Sequence, residues 1–261
     1  MSPVEQNLVW VALPYACLVL LVAGMVWRWR TDQFGWTSRS SQWNESRMLR
    51  LASPVFHLGF LMVIGGHLVG LMVPRSWTEA VGVSQHVYHL GATYLGMLAA
   101  VLTVLGLVGL IYRRVVVRSV RLATTRNDVV MYCFLIVPVL LGTFATVTNQ
   151  LMDAHGYDYR ETISPWLRSV LVLQPRPALM AEVPLSFKLH VVAGLLLLAV
   201  WPFTRLVHAV SAPVGYTTRP YVVYRSREAA ATPPARRGWA PVRTQGTGNQ
   251  GANDVAPSQG A

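Results

Sequence analysis

The sequence predicts an all-α integral membrane protein, a bundle of five transmembrane helices followed by a disordered C-terminal tail. Two features of its composition support this fold class: 53% of the 261 residues are hydrophobic and only 13% are charged. Soluble domains carry about 25% charged residues on average, so this chain is too apolar for an ordinary soluble domain. The third observation is that uncharged apolar runs recur, each near the roughly 20 residues needed to cross a bilayer.

Four uncharged runs reach the length of a membrane span: residues 8–27, 51–74, 87–112 and 129–152. A fifth run, residues 189–204, is shorter. The charged side chains at its two ends, Lys188 and Arg205, can extend toward the membrane surface and lengthen the apolar part of the helix. We interpret the first run as a retained span rather than a cleaved signal peptide, because no basic region precedes it.

Basic residues predict the orientation of the bundle. Segments 28–50 and 113–127 and the near part of the tail hold fourteen of them, against five on the opposite side. The positive-inside rule then places the N-terminus outside and the C-terminus in the cytoplasm. The same pattern accounts for the net charge of +11. It argues against nucleic-acid binding, because charges in short loops between spans suit anionic membrane lipid or a cytoplasmic partner.

Composition also divides the chain. Residues 1–227 form the predicted membrane domain, whereas residues 228–261 are rich in Ala, Pro and Gly and have too few large apolar side chains to fold. The connection 153–182 contains the stretch SPWLRSVLVL, which is too short to span a membrane. We expect it to form a helix lying at the outer membrane surface.

Four of the seven histidines lie inside predicted spans, where ionisable side chains are costly and usually functional. His57 and His67 are on the second span, and His190 and His208 are on the fifth. The 18 residues between His190 and His208 correspond to five α-helical turns, so both side chains are expected on one helix face. Because the two spans run antiparallel, His57 should lie level with His208, and His67 with His190.

Two facing imidazoles supply the two axial ligands of a haem iron. The predicted pairs therefore indicate two haems, one in each leaflet. Arg205, three residues before His208, is expected either to pair with a haem propionate or to anchor the helix at the membrane edge. Gly66, Gly70 and Gly194 leave room for a flat ring, although small residues also serve ordinary helix packing in membranes.

Two stretches resemble a known family: SRSSQWNESRMLRLASPVFHLGFLMVIGGHLVGLMVP and FKLHVVAGLLLLAVWPFTRLVHAVSAPVGYTTRPYVVYRSR. They are similar to the γ subunit of respiratory nitrate reductase, with H-x9-H on one helix and L-H-x17-H followed by S-x-P-x2-Y-x2-R-x-Y on another. The resemblance covers residues 1–227. It implies a prokaryotic plasma-membrane cytochrome b with two b haems.

The resemblance also implies residue roles and partners. His67 and His190 would bind the outer haem, distal to the catalytic subunits, and His57 and His208 the inner, proximal haem. Electrons from menaquinol or ubiquinol would enter near the outer haem. They would leave to an iron–sulfur β subunit and a molybdenum α subunit on the cytoplasmic side, where nitrate is reduced to nitrite.

The expected quinol site departs from the family pattern. A lysine that some members carry near the third span is missing from the corresponding stretch GVSQHVYHLG. His86 is the first substitute and His89 the second, because histidine titrates near neutral pH and can bond a quinone carbonyl. Gly66 and Gly70 would leave space for the quinol head. Interfacial histidines that face lipid headgroups are an equal alternative.

Three other functions remain open at this point. The chain could be a related cytochrome b subunit of another quinone-linked reductase, with the same haem ligands and a different acceptor. It could also be a haem-free anchor for a soluble complex. A channel or transporter is disfavoured, because Asp and Glu are almost absent from the spans and no polar path accompanies the four histidines.

Overall fold

The computed structural model describes residues 2–32, 35–152 and 156–210, and these form helices and connections without a β-strand. Five helical segments are long and apolar enough to cross a membrane, as predicted. They are α1 (Pro3–Thr31), α2 (Arg47–Met72), α3 (Gln85–Val116), α4 (Arg126–Asn149), and a last segment Leu185–Phe203 whose α-helical part is α5 (Leu185–Val200). The predicted disordered tail and the tail motif after His208 lie outside the described residues.

Polar caps make three of the helices, α1, α3 and α4, begin earlier than their apolar runs. Ser2 caps α1 in a capping box with Glu5, and the Ser84 side chain accepts a hydrogen bond from the first turn of α3. Thr125 and Asp128 form a second capping box at the start of α4. Such caps satisfy the free N–H groups of a first turn, so the helix extends to the cap rather than stopping where hydrophobicity ends.

Small residues bring α2 and α3 into close contact. A Cβ added to Gly59 would lie 2.5 Å from the backbone N of Thr103, and one added to Gly109 would lie 2.9 Å from the Cβ of Ala52. Gly106 contacts the backbone of Phe56 in the same way. These glycines allow two membrane helices to approach at backbone distance. In the rest of the bundle α5 packs between α4 and α1, and α4 also contacts α3.

The two ends of the bundle, called the His57 end and the His67 end after the nearer of these two residues of α2, are formed by different connections. At the His57 end, Arg113 of α3 holds the segment before α2: its Nε donates to Glu45 Oε2 at 2.5 Å and its Nη1 donates to Ser41 Oγ at 2.9 Å. The His67 end contains residues 73–84 and 156–184. There Arg160 Nη2 donates to Thr78 Oγ1 at 3.0 Å, which joins the two connections.

The predicted short helix forms as Ile163–Leu171 and packs one face against the bundle. Trp166 and Val170 are fully buried against the bundle, and Trp166 Nε1 donates to the carbonyl of Trp10 at 3.0 Å. Ser164 Oγ donates to the carbonyl of Gly70 at 2.9 Å. The short helix is therefore confirmed and covers the His67 end of the bundle, whereas its location at the outer membrane surface stays a prediction.

The fifth span is not a continuous α-helix through His208. Helix α5 ends at Val200, and two 3-10 turns follow, Trp201–Phe203 and Arg205–Val210. Pro202 explains the break, because proline has no backbone N–H to continue the helical hydrogen bonds. The prediction that five regular turns separate His190 from His208 is thus wrong.

Candidate functional site

The structure brings the four membrane histidines together in two pairs. The rings of His57 and His208 have centroids 6.2 Å apart and an angle of 69° between their planes. Those of His67 and His190 are 5.8 Å apart at 47°. These are the pairs expected from the sequence, although the break after Val200 means that His208 reaches its position from a 3-10 turn.

Each of the four rings is oriented by a hydrogen bond to a backbone carbonyl. Because a carbonyl oxygen only accepts, each Nδ1 carries the proton of this hydrogen bond, and Nε2 is the ring nitrogen that the carbonyl does not use. A metal-binding histidine is commonly held in this way, with its other ring N–H bonded to a carbonyl or carboxylate. The contacts are His57 to Ser53 O at 2.7 Å, His67 to Val63 O at 2.8 Å, His190 to Pro138 O at 3.0 Å, and His208 to Arg205 O at 2.6 Å.

The donor set fits haem better than a bare metal ion. Two imidazoles binding one metal from opposite sides at about 2.0–2.1 Å would have ring centroids about 6 Å apart. Both observed separations are close to this value. Nowhere in the described part of the chain do three or more His, Cys, Asp or Glu side chains gather as a metal site. A haem needs only the two axial ligands, because its macrocycle supplies the other four donor atoms.

Space beside the histidines also suits a flat ring. A Cβ added to Gly66, next to His67, or to Gly194, one turn after His190, would meet no atom within 4 Å. Helices α2 and α5 share no extended backbone contact, and the rings of His67 and His190 face each other between them. His57 of α2 faces His208 in the 3-10 turn that follows α5. The two imidazoles of each pair therefore fit a haem as donors, and at the His67–His190 pair there is also open space for the ring.

The ring of His190 packs against α4 in a contact that the sequence did not predict. Its Nδ1 donates to Pro138 O, and a Cβ added to Gly142 would lie 2.7 Å from His190 Cε1 and 3.0 Å from Nδ1. The absence of a side chain at Gly142 is therefore what admits the ring. Among 20 glycines, no sequence signal distinguishes this one from a packing glycine.

We expect Gly142→Ala to displace the His190 ring and to weaken haem retention at the His67 end by about 10-fold, in the range found for lost supporting contacts of metal ligands. Optical spectra of the reduced protein and the haem content per chain measure this. Gly96→Ala is the matched control, because a Cβ at Gly96 meets nothing within 4 Å. Unchanged haem content and spectra in Gly142→Ala would contradict the assigned role.

Arg205 is held by a carboxylate that the sequence analysis did not single out. Its Nη2 forms a short ion pair with Asp128 Oδ1, and Asp128 is 2% exposed. Arg114 Nη1 also lies 3.3 Å from Asp128 Oδ2. Within the described residues Arg205 Nε is buried and has no hydrogen-bond partner. The role of Arg205 toward a haem propionate stays a prediction, and this free donor is compatible with it.

The predicted quinol residues are dispersed over the His67 end. His86 is exposed and His89 half-buried in the first turns of α3, and Gly66 is exposed on α2. Gly70 is buried, and a Cβ there would lie 2.8 Å from the hydroxyl oxygen of Tyr159. The space beside Gly70 is thus taken by a side chain of this protein, whereas the space beside Gly66 is open.

Tyr159 belongs to a buried polar cluster that sequence reasoning also missed. Its hydroxyl lies 3.4 Å from that of Tyr88, and the guanidinium of Arg160 stacks 3.8 Å from the centroid of the Tyr88 ring. Burial raises the pKa of Tyr159 well above its usual range, and the contact with Tyr88 raises it further. Tyr159 is therefore a neutral hydroxyl at physiological pH. Arg160, one of the five basic residues counted on the opposite side, is 4% exposed.

Comparison with known proteins identifies the family of this chain. The family model described as nitrate reductase gamma subunit matches residues 6–227. The chain belongs to this family. The match includes all four paired histidines and ends where the sequence predicts the tail to begin.

Individual relatives of the family extend the comparison. The chain is 40% identical to the nitrate reductase gamma chain of Bacillus subtilis, over 85% of this chain and 98% of that protein. It is 33% identical to the respiratory nitrate reductase 2 gamma chain of Escherichia coli, over 82% and 94%. It is 53% identical to the nitrate reductase-like protein NarX of Mycobacterium tuberculosis over 89% of this chain, but spans only 36% of the length of NarX.

Proposed function

We propose that this chain is the membrane cytochrome b subunit of a quinol-dependent nitrate reductase. It oxidises quinol at the His67 end and carries the electrons through two b haems to the His57 end. An iron–sulfur β subunit takes them there and passes them to a molybdenum α subunit, which reduces nitrate to nitrite. The chain by itself does not reduce nitrate.

The observation that carries this proposal is the pair of facing imidazoles at each end of one five-helix bundle. A single intramembrane histidine can be explained by a hydrogen bond between helices. Four histidines in two facing pairs, each with Nδ1 bonded to a carbonyl, call for a ligand that uses Nε2. Membership of the nitrate reductase gamma subunit family supports the choice of haem and of nitrate as the final acceptor.

The histidines would act as axial ligands in fixed orientations. His67 and His190 hold the haem near the quinol, and His57 and His208 hold the haem near the partner subunits. When bound, each haem supplies reversible one-electron chemistry, which no amino-acid side chain in these pairs provides. The protein contributes the ligands, their depth in the membrane and the surrounding charges.

The arginine-rich His57 end would face the cytoplasm and the partner subunits. The positive-inside rule supports this orientation, and it places α1 with its N-terminus outside. Not every arginine there is available for docking, because Arg113 and Arg114 are largely buried in ion pairs with Glu45 and Asp128. The exposed members, such as Arg30 and Arg118, are the ones left to meet a partner or anionic lipid.

Quinol would bind at the His67 end, near the open space beside Gly66. His86 and His89, in the first turns of α3, would accept a hydrogen bond from the quinol hydroxyl and remove its proton. Protons would then be released outside while electrons move inward, which separates charge across the membrane. The neutral Tyr159 hydroxyl beside Gly70 lies at the same end and offers a further donor.

An optical redox difference spectrum of native membranes tests the proposal. We expect a quinol analogue to reduce two b-type haems per chain, and subsequent nitrate to reoxidise both. Membranes from a strain that lacks this chain are the control. The expected signal then disappears while haems of other complexes remain.

The other possible results of this experiment correspond to the alternative functions of the chain. Haems that become reduced by quinol and stay reduced after nitrate would assign the chain to a different quinone-linked reductase. A purified chain without haem would leave only a membrane anchor and would overturn the proposal.

A further inference from the structure

The segment that carries His208 is held in place by side chains from two other helices. After α5 ends at Val200, the carbonyls of residues 202–204 lack the partners that a continuing α-helix would provide. Arg28 Nη1 donates to Pro202 O at 2.7 Å and to Thr204 O at 2.9 Å. Asn127 Nδ2 donates to Phe203 O at 2.8 Å. Three consecutive carbonyls are therefore satisfied by α1 and α4.

Asp128 continues this arrangement to the side chain of Arg205. It is 2% exposed at the start of α4, where one carboxylate oxygen pairs with Arg205 and the other lies 3.3 Å from Arg114 Nη1. The backbone carbonyl of Arg205 then accepts the Nδ1–H of His208 at 2.6 Å. A buried carboxylate is thus connected to the imidazole of His208 through a single residue.

The buried position of Asp128 makes its negative charge important for the two arginines. Breaking a buried ion pair by removing one charge is strongly destabilising, because the remaining charge is left without compensation. At Asp128 two guanidinium groups would lose their carboxylate together, and Arg205 would keep only its Nη1 contacts with the carbonyls of Ser38 and Arg39, at 3.3 and 3.4 Å. Movement of Arg205 would carry its carbonyl, and the orientation of His208 depends on that carbonyl.

Among the described residues at the His67 end, no equivalent arrangement holds His190. His190 lies in the middle of the regular helix α5 and donates to Pro138 O on α4. Its orientation therefore does not depend on Asp128 or on the turn after Val200. A change at Asp128 should consequently affect one histidine pair and spare the other.

We propose that Asp128 is a positioning residue for His208, acting through Arg205, and that it sets haem coordination at the His57 end. This rests on the proposed function, because it requires that the His57–His208 pair binds haem. Asp128 does not touch the haem in this proposal. Its ion pair with Arg205 holds the 3-10 turn that carries His208 in place.

The test compares Asp128→Asn with the wild-type chain in native membranes together with its partner subunits. Each haem is followed by its optical redox titration, its low-temperature electron paramagnetic resonance signal and its transfer to excess apomyoglobin. We expect about 10- to 100-fold faster loss of the haem at the His57 end, with a shifted signal. The signal and retention of the haem at the His67 end should stay unchanged, which makes it an internal control for folding.

Two further variants separate the ion pair from the helix cap. The Thr125 side chain accepts from Asp128 N at 3.3 Å, so Thr125→Ala removes this cap contact and keeps the carboxylate beside Arg205. We expect normal haem retention in Thr125→Ala. Asp128→Glu keeps the charge, and glutamate suits this position of a capping box, so it should restore most of the retention lost in Asp128→Asn.

Three outcomes would overturn the inference. Asp128→Asn with both haems unchanged would show that the ion pair does not position His208. Loss of both haems together, or equal loss in Thr125→Ala, would assign Asp128 to the fold or the cap. A wild-type chain without any haem would instead refute the proposed function, which is a distinguishable result.

Discussion

Replacement of His190 by leucine should remove the haem at the His67 end and leave the other haem bound. Leucine fills a similar apolar volume but offers no lone pair, and one imidazole cannot supply both axial ligands. We expect quinol-dependent nitrate reduction to fall by more than the roughly 10- to 100-fold cost of a lost supporting contact. Haem content per chain and a quinol-reduced difference spectrum measure the two effects.

In His190→Leu, the haem that remains at the His57 end shows which step of electron transfer is blocked. Dithionite should reduce it and nitrate should reoxidise it, whereas quinol should not reduce it at a normal rate. His86→Leu is the matched control for loss of a histidine, and it should retain both haems. Normal quinol reduction in His190→Leu would show that electrons enter the chain without the His67–His190 pair, against the proposed path.

The parts of the fold that the sequence predicted correctly follow from strong physical constraints. A membrane span must be apolar over a minimum length and must satisfy its own backbone groups, so five spans could be located from hydrophobicity alone. The histidine pairs were predictable for a related reason: ionisable groups inside a membrane are expensive, so His57, His67, His190 and His208 stood out from their surroundings. Antiparallel packing then determined which histidines meet.

The break in the last span shows the limit of hydrophobic patterning. Residues 189–204 are apolar apart from His190 and Thr204, and that pattern cannot distinguish an α-helix from an α-helix followed by 3-10 turns. Pro202 was the available signal, since proline interrupts helical hydrogen bonding. Its consequence, that Arg28 and Asn127 must supply donors to the freed carbonyls, depends on residues more than 70 positions away. Nothing local in the sequence indicates such contacts.

Counting arginines has a similar limit, because the count does not show which arginines are buried. Counting them predicts an orientation, but it treats every arginine as a surface charge. In the structure Arg113 is 2% exposed and bound to Glu45, and Arg28 is 7% exposed and bound to carbonyls. These residues stabilise the connections at the His57 end. Only the structure separates them from the exposed arginines that remain for a partner.

Replacement of His208 by leucine should give the reverse of the His190 result. We expect the haem at the His57 end to be lost, because His57 alone cannot complete the axial pair. The haem at the His67 end should remain bound and should still be reduced by quinol. Nitrate should no longer reoxidise it at more than about one-hundredth of the wild-type rate, beyond the cost of a lost supporting contact. Stopped-flow absorbance after nitrate addition measures this rate.

The two leucine variants together test the order of the electron path rather than the presence of haem. A linear path predicts that His190→Leu blocks entry and His208→Leu blocks exit, so each variant leaves a haem that responds to only one of the two reagents. If either remaining haem responded normally to both quinol and nitrate, the two pairs would act in parallel. The Asp128→Asn variant adds to this comparison, because His208→Leu leaves the ion pair between Asp128 and Arg205 in place. A defect common to His208→Leu and Asp128→Asn therefore points to the His208 imidazole itself, since that is the group the two changes have in common.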